Sequence, residues 1–328
     1  MTRTESIAAP VRRPSLNRHG DFVKLWTAET ISQFGTQVTN LALPVIAAVI
    51  LNVSPLEFGL LGTIEFLPFI LLSLPAGVWV DRLRRRPILI AGDLGRGIML
   101  LSIPVAFSFN VLTIWQLYLV GFVNGCLTVF FDVSYQSYLP SLVDREDLRE
   151  GNSKLEISRS GAQIVGPGLA GSIIGLVTAP VAIILDSISF FVSAAFVILI
   201  RKHEPAPVVA VGADGRKGPG MRAEVAAGLS YVLRHPYLRY IAACTGISNL
   251  FSQIGFSIFV LYLLRDRGIS IAEIGVAFSI ASVGFLIGAL TGNRIGQRFG
   301  VGPTIIGSAI VFGPSFVLVA VAPDALTL

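Results

Sequence analysis

The sequence has little charge and few of the side chains that build metal or catalytic centres. Only 14% of its 328 residues are charged, whereas 53% are hydrophobic, and the mean hydropathy is +0.74. Soluble domains are less apolar than this. The only cysteines, Cys126 and Cys244, fall in long apolar stretches, where a thiol packs as a small apolar group. The three histidines are far apart, so no Cys and His spacing predicts a metal site or a cofactor.

Nine long apolar stretches run along the chain, and each is long enough to cross a bilayer as a helix. The hydrocarbon core is about 30 Å thick and needs about 20 apolar residues at a rise of about 1.5 Å per residue. The sequence therefore predicts an all-α, polytopic membrane protein. The predicted spans are residues 25–50, 56–80, 87–107, 112–138, 156–178, 181–200, 240–264, 271–292 and 303–322.

Basic residues are concentrated before the first span and in the connections after spans two, four, six and eight. The opposite connections hold only Arg265 and Arg267. Because Lys and Arg accumulate on the cytoplasmic side of a membrane, this pattern predicts a cytoplasmic N-terminus. The net charge of +5 is thus a topology signal, and the sequence offers no soluble basic face for nucleic acid.

The longest break between apolar stretches separates six spans from three. Its first part is rich in Gly and Pro, as flexible linkers are, and its second part has the pattern of an amphipathic helix on the membrane surface. We therefore predict four parts: a flexible cytoplasmic tail at 1–21, a six-helix bundle at 22–200, a cytoplasmic linker with an amphipathic helix at 201–238, and three helices of an incomplete second bundle at 239–328.

The segment GVWVDRLRRRP follows the second span. Its residues Gly77, Asp81, Arg82, Arg85 and Arg86 match the pattern Gly-x-x-x-Asp-Arg-x-x-Arg-Arg, and the segment resembles the loop between helices 2 and 3 of the major facilitator superfamily. The resemblance implies a loop that latches two bundles together in one state of a transport cycle. The arginines alone would also serve as a topology anchor. A weaker copy after the eighth span is consistent with two related halves.

The fifth span contains the segment GPGLAG at 166–171. It resembles the antiporter motif of the same family, Gly-Pro-x-x-Gly-Gly, with Gly166, Pro167 and Gly171 in place and Ala170 instead of one glycine. In the family this motif marks exporters. Small residues also let a neighbouring helix approach closely, and proline bends a helix, so ordinary packing is the alternative interpretation.

Residues 131–153 and 186–190 resemble a bacterial exporter branch of that superfamily, which includes macrolide efflux proteins and enterobactin-type siderophore exporters. The resemblance implies a multi-pass protein of the bacterial inner membrane. The family has twelve helices, whereas this sequence reaches Leu328 after nine apolar stretches. We therefore expect this chain by itself to be inactive in transport and poorly stable.

Four ionisable residues within the predicted spans have a possible partner. Charges in hydrocarbon cost about 2.5–3.5 kcal/mol each on insertion scales, so pairing is expected. Asp93 and Arg96 share a helix face at i and i+3. Asp132 and Arg159 lie at the cytoplasmic ends of two antiparallel neighbours, and we expect them to form a second intramembrane ion pair.

Three acidic residues are candidates for proton coupling. Glu65 is the deepest, about 15 Å into the second span at helical rise, and has no basic residue in sequence reach. Burial disfavours its charged form, so it is suited either to exchange a proton or to remain a protonated carboxyl bonded to another helix. Glu29 and Asp186 are the other candidates.

Polar and aromatic residues near the middle of several spans are candidates for a substrate path. Apolar and aromatic lining with few polar groups suits an amphipathic organic compound. Each residue is equally compatible with helix packing or contact with lipid. The candidates are Gln33, Gln37, Asn40, Phe66, Phe69, Asn124, Gln253 and Phe256.

These features together predict a secondary active transporter that exports a small amphipathic compound, such as a drug, macrolide or siderophore, in exchange for protons. The predicted partners are the small-molecule substrate, protons and membrane lipid. One alternative is a truncated, non-transporting remnant or a subunit of such a transporter. The weaker alternative is an integral-membrane enzyme, because the acids within the spans are scattered and no histidine lies within a span. We therefore predict no enzymatic activity.

Overall fold

The computed structural model describes residues 16–202, 204 and 221–321, and all long elements within this part of the chain are helices. The predicted tail up to residue 15 and the linker residues 205–220 lie outside it. The ten α-helices of the described part are α1 (Gly20–Val45), α2 (Pro55–Arg82), α3 (Arg85–Ser108), α4 (Ile114–Leu142), α5 (Leu148–Val177), α6 (Ala179–Ile198), α7 (Met221–Arg234), α8 (Leu238–Arg265), α9 (Ile271–Phe299) and α10 (Val301–Val321). One π-helical turn, Ile46–Ile50, prolongs α1.

Helices occur at all nine predicted spans, and α7 coincides with the predicted amphipathic segment. Within the described residues, seven segments are long and apolar enough to cross a membrane: α1 with its π turn, α2, α3, α4, α5, α6, and Ile271–Gly292 of α9. The prediction of an all-α, multi-pass membrane protein is confirmed. The observed α5 begins at Leu148, eight residues before the predicted span, because about two polar turns at its start add no hydropathy but continue the helix.

The second helix of each half begins with the same capping box. We call α1–α6 the first half and α8–α10 the second half. Ser54 accepts a hydrogen bond from the Glu57 backbone N–H, and Glu57 Oε2 accepts one from the Ser54 N–H at 2.8 Å. Ser270 and Glu273 repeat this arrangement at α9, with the return bond at 2.9 Å. Both pairs satisfy backbone donors that a helix N-terminus leaves unpaired.

Within the first half, α1 packs against α5 and α6, α3 packs against α4 and α6, and α2 packs against α4. We call the end where α1 begins, which also carries the α2–α3 and α4–α5 connections, the proximal end. The distal end carries the α1–α2, α3–α4 and α5–α6 connections. A buried apolar cluster at the proximal end includes Phe22, Leu25, Leu89, Leu142 and Leu155.

The two halves share a hydrophobic core at the distal end. The second half contacts the first mainly through α9 on α5 and α8 on α2. The distal cluster combines Phe58, Leu61, Ala170 and Ile174 of the first half with Val260, Leu261, Leu263 and Ile274 of the second. Among the described residues, the buried members of the proximal cluster all belong to the first half. The halves are therefore held together distally.

Candidate substrate cavity and coupling site

A cavity of about 910 Å³ lies between the two halves. It is lined by α1, α2, α4 and α5 of the first half and by α8 and α9 of the second. Pockets of about 300–1,000 Å³ accommodate drug-sized molecules. Five of the predicted path residues line this cavity: Gln37, Asn40, Phe69, Asn124 and Phe256.

The other three predicted path residues are placed differently. Gln33 donates a hydrogen bond to Glu29 Oε1 at 2.6 Å, one helical turn away on α1. Phe66 stacks on Phe69 with ring centroids 5.7 Å apart and is itself 37% exposed. The side chain of Gln253 lies outside the described part of the chain.

The cavity is closed toward the distal end. The Arg265 guanidinium, at the end of α8, donates to the Ala48 carbonyl in the π turn after α1, at 2.9 and 3.2 Å. The shared apolar cluster lies next to this contact. At the proximal side the lining residues Glu156 and Gln163 of α5 are exposed. A ligand would therefore enter from the proximal end.

The glycine-rich segment of α5 forms a close backbone contact between the halves. A Cβ placed on Gly171 would lie 2.7 Å from the Ile271 carbonyl oxygen and 3.1 Å from Gly275 Cα. The Gly168 N–H donates to Ser279 Oγ at 2.8 Å, which adds a polar contact between α5 and α9. The small residues thus let two backbones meet, as in other membrane helix pairs.

Three further residues of this segment lie at the cavity, against α1 or in the distal cluster. Pro167 lines the cavity. A Cβ on Gly166 would overlap the Gln37 side chain of α1, so the absence of a side chain at Gly166 makes room for a cavity-lining glutamine. Ala170 is fully buried in the distal cluster. The segment therefore determines both the contact between halves and one wall of the cavity.

Glu65 lines the cavity from α2. A Cβ on Gly121 of α4 would lie 2.8 Å from Glu65 Cγ, and one on Gly125 would lie 2.8 Å from the Glu65 carbonyl oxygen. These glycines, four residues apart, let α4 approach α2 closely at this point. Within the described residues, Glu65 Oε1 is buried and accepts no hydrogen bond. The carboxyl is thus held by packing and is available to a proton or a ligand.

Arg96 lies in the interior of the first half. It donates to Asp93 Oδ1 at 2.6 Å, and Ser193 of α6 donates to Asp93 Oδ2, also at 2.6 Å. The guanidinium carbon is 4.1 Å from the Phe131 ring centroid and 4.2 Å from that of Phe190. The aromatic faces and the carboxylate together stabilise a cation in this low-dielectric position.

Asp186 connects this interior to the cavity wall. It accepts a short hydrogen bond from Thr39, which lines the cavity, and another from Ser189 Oγ at 2.9 Å. A Cβ on Gly35 of α1 would overlap Asp186 and Ser189, so the missing side chain lets α1 reach α6 here. Asp186 is only 1% exposed.

The remaining predicted ionisable residues surround the same interior. Glu29 is buried and interacts electrostatically with Arg96, Asp93 and Asp132. Asp132 interacts electrostatically with Arg96 and Arg159, but these described residues form no salt bridge within 4.0 Å, and both Asp132 and Arg159 are exposed. The expected ion pair between the ends of α4 and α5 is therefore not formed in this conformation, because the two helices make little contact there.

The loop motif after α2 engages a residue that sequence reasoning missed. Glu204 is buried and accepts hydrogen bonds from the first backbone N–H groups of α3, those of Arg85 at 2.8 Å and Arg86 at 3.1 Å. The Arg86 guanidinium donates to the Ile198 carbonyl at the end of α6 at 2.6 Å. Asp81 is 74% exposed and 3.8 Å from Arg85. The available sequence signal was an acidic residue shortly after the basic residues Arg201 and Lys202.

Comparison with known proteins agrees with this architecture. The model of the family described as Major Facilitator Superfamily matches residues 25–261. The MFS-type transporter YfiS of Bacillus subtilis (strain 168) is 26% identical over 87% of this chain and 66% of its own length. The multidrug efflux pump Tap of Mycolicibacterium fortuitum is 25% identical over 83% of this chain and 66% of its own. Macrolide efflux protein A of Streptococcus pyogenes is 21% identical over 55% of this chain and 44% of its own length.

A solved structure shares the fold. It is the crystal structure of a bacterial homolog to the human lysosomal transporter Spinster, in an inward-facing and unoccupied conformation. The TM-score is 0.60 at 16% identity, over 87% of this chain and 66% of that one. The chain thus spans about two thirds of the length of YfiS, of Tap and of the solved structure, and 44% of macrolide efflux protein A.

Proposed function

Since the chain belongs to the Major Facilitator Superfamily, whose members are membrane transporters, we propose that it serves proton-coupled efflux of a small amphipathic organic compound. The observation that carries the proposal is the cavity of about 910 Å³ between the halves, lined by aromatic and polar side chains. A cavity between two bundles that rock against each other is how many transporters bind and release a substrate.

Export is the direction that we propose, and the charge pattern and the distal closure are consistent with it. We place the proximal end in the cytoplasm of a bacterial cell, at its inner membrane, because the arginine-rich connections lie there. The cavity is then accessible from the cytoplasm, where an exporter binds its substrate. Release requires the distal contact between Gly171 and Gly275 to separate and the bond from Arg265 to Ala48 to break. The efflux relatives support this direction.

Proton coupling is assigned to Glu65, Glu29 and Asp186. Arg96 interacts electrostatically with Glu29, Asp93, Asp132 and Asp186. One guanidinium does not neutralise the three buried carboxylates of Glu29, Asp93 and Asp186 in a low-dielectric interior, so we propose that some of them take up protons. Thr39 lines the cavity and donates a hydrogen bond to Asp186, so a movement of the cavity wall would change the surroundings of this carboxyl.

The loop between α2 and α3 is assigned the role of a latch. In the present conformation its arginines are held within the first half by Glu204 and by the end of α6. Asp81 remains exposed and can meet a charged or helix-terminal group of the other half when the proximal ends approach. The buried Glu204 keeps the loop in place for that contact.

The test is efflux from cells that express a protein in which this chain is extended to the length of its relatives, of which it spans about two thirds. The cells are given a labelled panel of macrolides, siderophores and other amphipathic drugs. We expect lower accumulation of at least one compound, loss of that effect with a protonophore, and loss in Asp186→Asn. Asp144→Asn, at an exposed position in the α4–α5 connection, is the control. Equal accumulation across the panel would overturn export, and efflux that persists with the protonophore would overturn proton coupling.

A further inference from the structure

The described residues that line the cavity carry charge of one sign only. They include two carboxylates, Glu65 and Glu156, and within the described part of the chain no Lys, Arg or His lines the cavity. Arg159 lies on the same helix as Glu156 and does not line the cavity. A substrate that reaches this space therefore meets negative charge without a compensating cation.

The two carboxylates lie at different depths. Glu156 is nine residues into α5 from its proximal start and is exposed, so it lies near the entrance. Glu65 is eleven residues into α2 from its distal start and has a buried oxygen. A cation would thus pass the first carboxylate on entering and reach the second at the closed end.

Aromatic rings surround the deeper part of the cavity. Phe58 and Phe69 come from α2, and Phe256, Phe278 and Phe285 come from the second half. The rings of Phe256 and Phe278 stack with centroids 5.3 Å apart. Aromatic faces attract cations, and their area also binds an apolar body. Both halves contribute rings, so a bound compound would contact both.

Glu65 lacks the partner that a buried carboxylate requires. Its Oε1 is buried against Gly121 and accepts no hydrogen bond within the described residues. An unpaired carboxylate in an apolar cavity is unfavourable unless a proton or another cation joins it. A ligand with a cationic group supplies that partner, whereas an anionic ligand adds a like charge.

From these observations we infer that the cavity selects organic cations, in which a permanently charged or protonated centre lies beside Glu65 and the apolar body contacts the phenylalanine rings. This inference rests on the proposed export function and narrows its substrate class. Of the compounds expected from the sequence, basic amphipathic drugs and macrolides with an amino group fit, and anionic siderophores do not. Proton and substrate then occupy the same carboxyl in turn.

The test uses two ions of nearly equal size and shape, tetraphenylphosphonium and tetraphenylborate. Binding of each to the purified protein is measured by isothermal titration calorimetry in the same detergent. We expect the phosphonium to bind at least about tenfold more tightly than the borate, since charge complementarity sets partner preference. Glu65→Gln should weaken phosphonium binding about tenfold or more and strengthen borate binding, because the variant removes a negative charge that attracts the first ion and repels the second.

Glu57→Gln is the matched control, because Glu57 lies on the same helix, does not line the cavity, and a glutamine keeps the capping box. Phosphonium binding should be unaffected by it. Tighter binding of the borate, equal binding of the two ions, binding of neither, or a Glu65→Gln variant with native affinity would each overturn the cation inference. Efflux of a neutral or anionic compound in the cell assay, alongside any of these results, would leave the export proposal standing.

Discussion

The contact between α5 and α9 predicts a specific effect of Gly171→Ala. The added Cβ would lie 2.7 Å from the Ile271 carbonyl oxygen and 3.2 Å from Ala272 Cα, whereas ordinary contact begins at 3.4 Å. The opposing atoms are backbone, so no rotamer change relieves the overlap. The helices must separate by about 0.7 Å, the difference between 3.4 and 2.7 Å.

The cost of this overlap falls only on the conformation in which the distal ends meet. Inserting a methyl group into a well-packed contact costs about 1–3 kcal/mol. A conformation in which α5 and α9 are apart at this point has no such cost. The equilibrium between distally closed and distally open forms should therefore shift toward the open form by about 5- to 150-fold.

The shift is measurable as a distance between the halves. Spin labels on exposed Trp115 and Asp266, at the distal ends of α4 and α8, would report it by electron–electron double resonance, with Cys126 and Cys244 replaced by Ser. We expect a longer-distance population in Gly171→Ala. Gly175→Ala, on the same helix, is the control because its Cβ would meet nothing within 4 Å.

An unchanged distance distribution in a monodisperse Gly171→Ala protein would refute the reasoning. It would mean that the glycine contact does not hold the distal ends together. If Gly171→Ala does not fold, Ser279→Ala provides a second measurement, because it removes the hydrogen bond to the Gly168 N–H, worth about 1 kcal/mol, without adding volume. The same shift in direction is expected, at smaller amplitude.

Three further predictions concern the first half. Asp81→Asn should slow transport. It should leave the membrane topology unchanged, as measured by cysteine accessibility, because the arginines carry the orientation signal. Native turnover in this variant would mean that the loop serves only as a topology anchor. Glu204→Ala should lower the free energy of unfolding by about 0.5–2 kcal/mol, because it removes the side chain that caps α3. In the same thermal melt in detergent, the control Asp144→Ala should change the free energy of unfolding little. Gly35→Ala should lower the melting temperature and Gly161→Ala should not, since only the first would overlap α6; equal melting of both variants would contradict the observed packing of α1 on α6.

The sequence alone was sufficient for features that depend on local composition. The length of each apolar stretch determines whether a helix can cross a bilayer, and α1–α6 follow the predicted spans. Capping is equally local, as the Ser-x-x-Glu boxes at α2 and α9 show. Family membership was also accessible, because the loop after α2 and the glycine-rich segment of α5 are continuous motifs.

Tertiary structure decided which face of each helix meets which neighbour. Gln33 and Gln37 share a face of α1, yet the first bonds to Glu29 and the second, one turn further along the helix, lines the cavity. Helices that are apolar on most sides carry no periodic signal that separates a lipid-facing from a bundle-facing position. Thr39 and Asp186 are 147 residues apart and meet only because Gly35 lets α1 reach α6. The sequence determines the length and caps of each helix. The rotation of the helices and their close approach arise from contacts between residues that are distant in the chain. These contacts place Glu65 in the cavity and Asp186 behind the cavity wall.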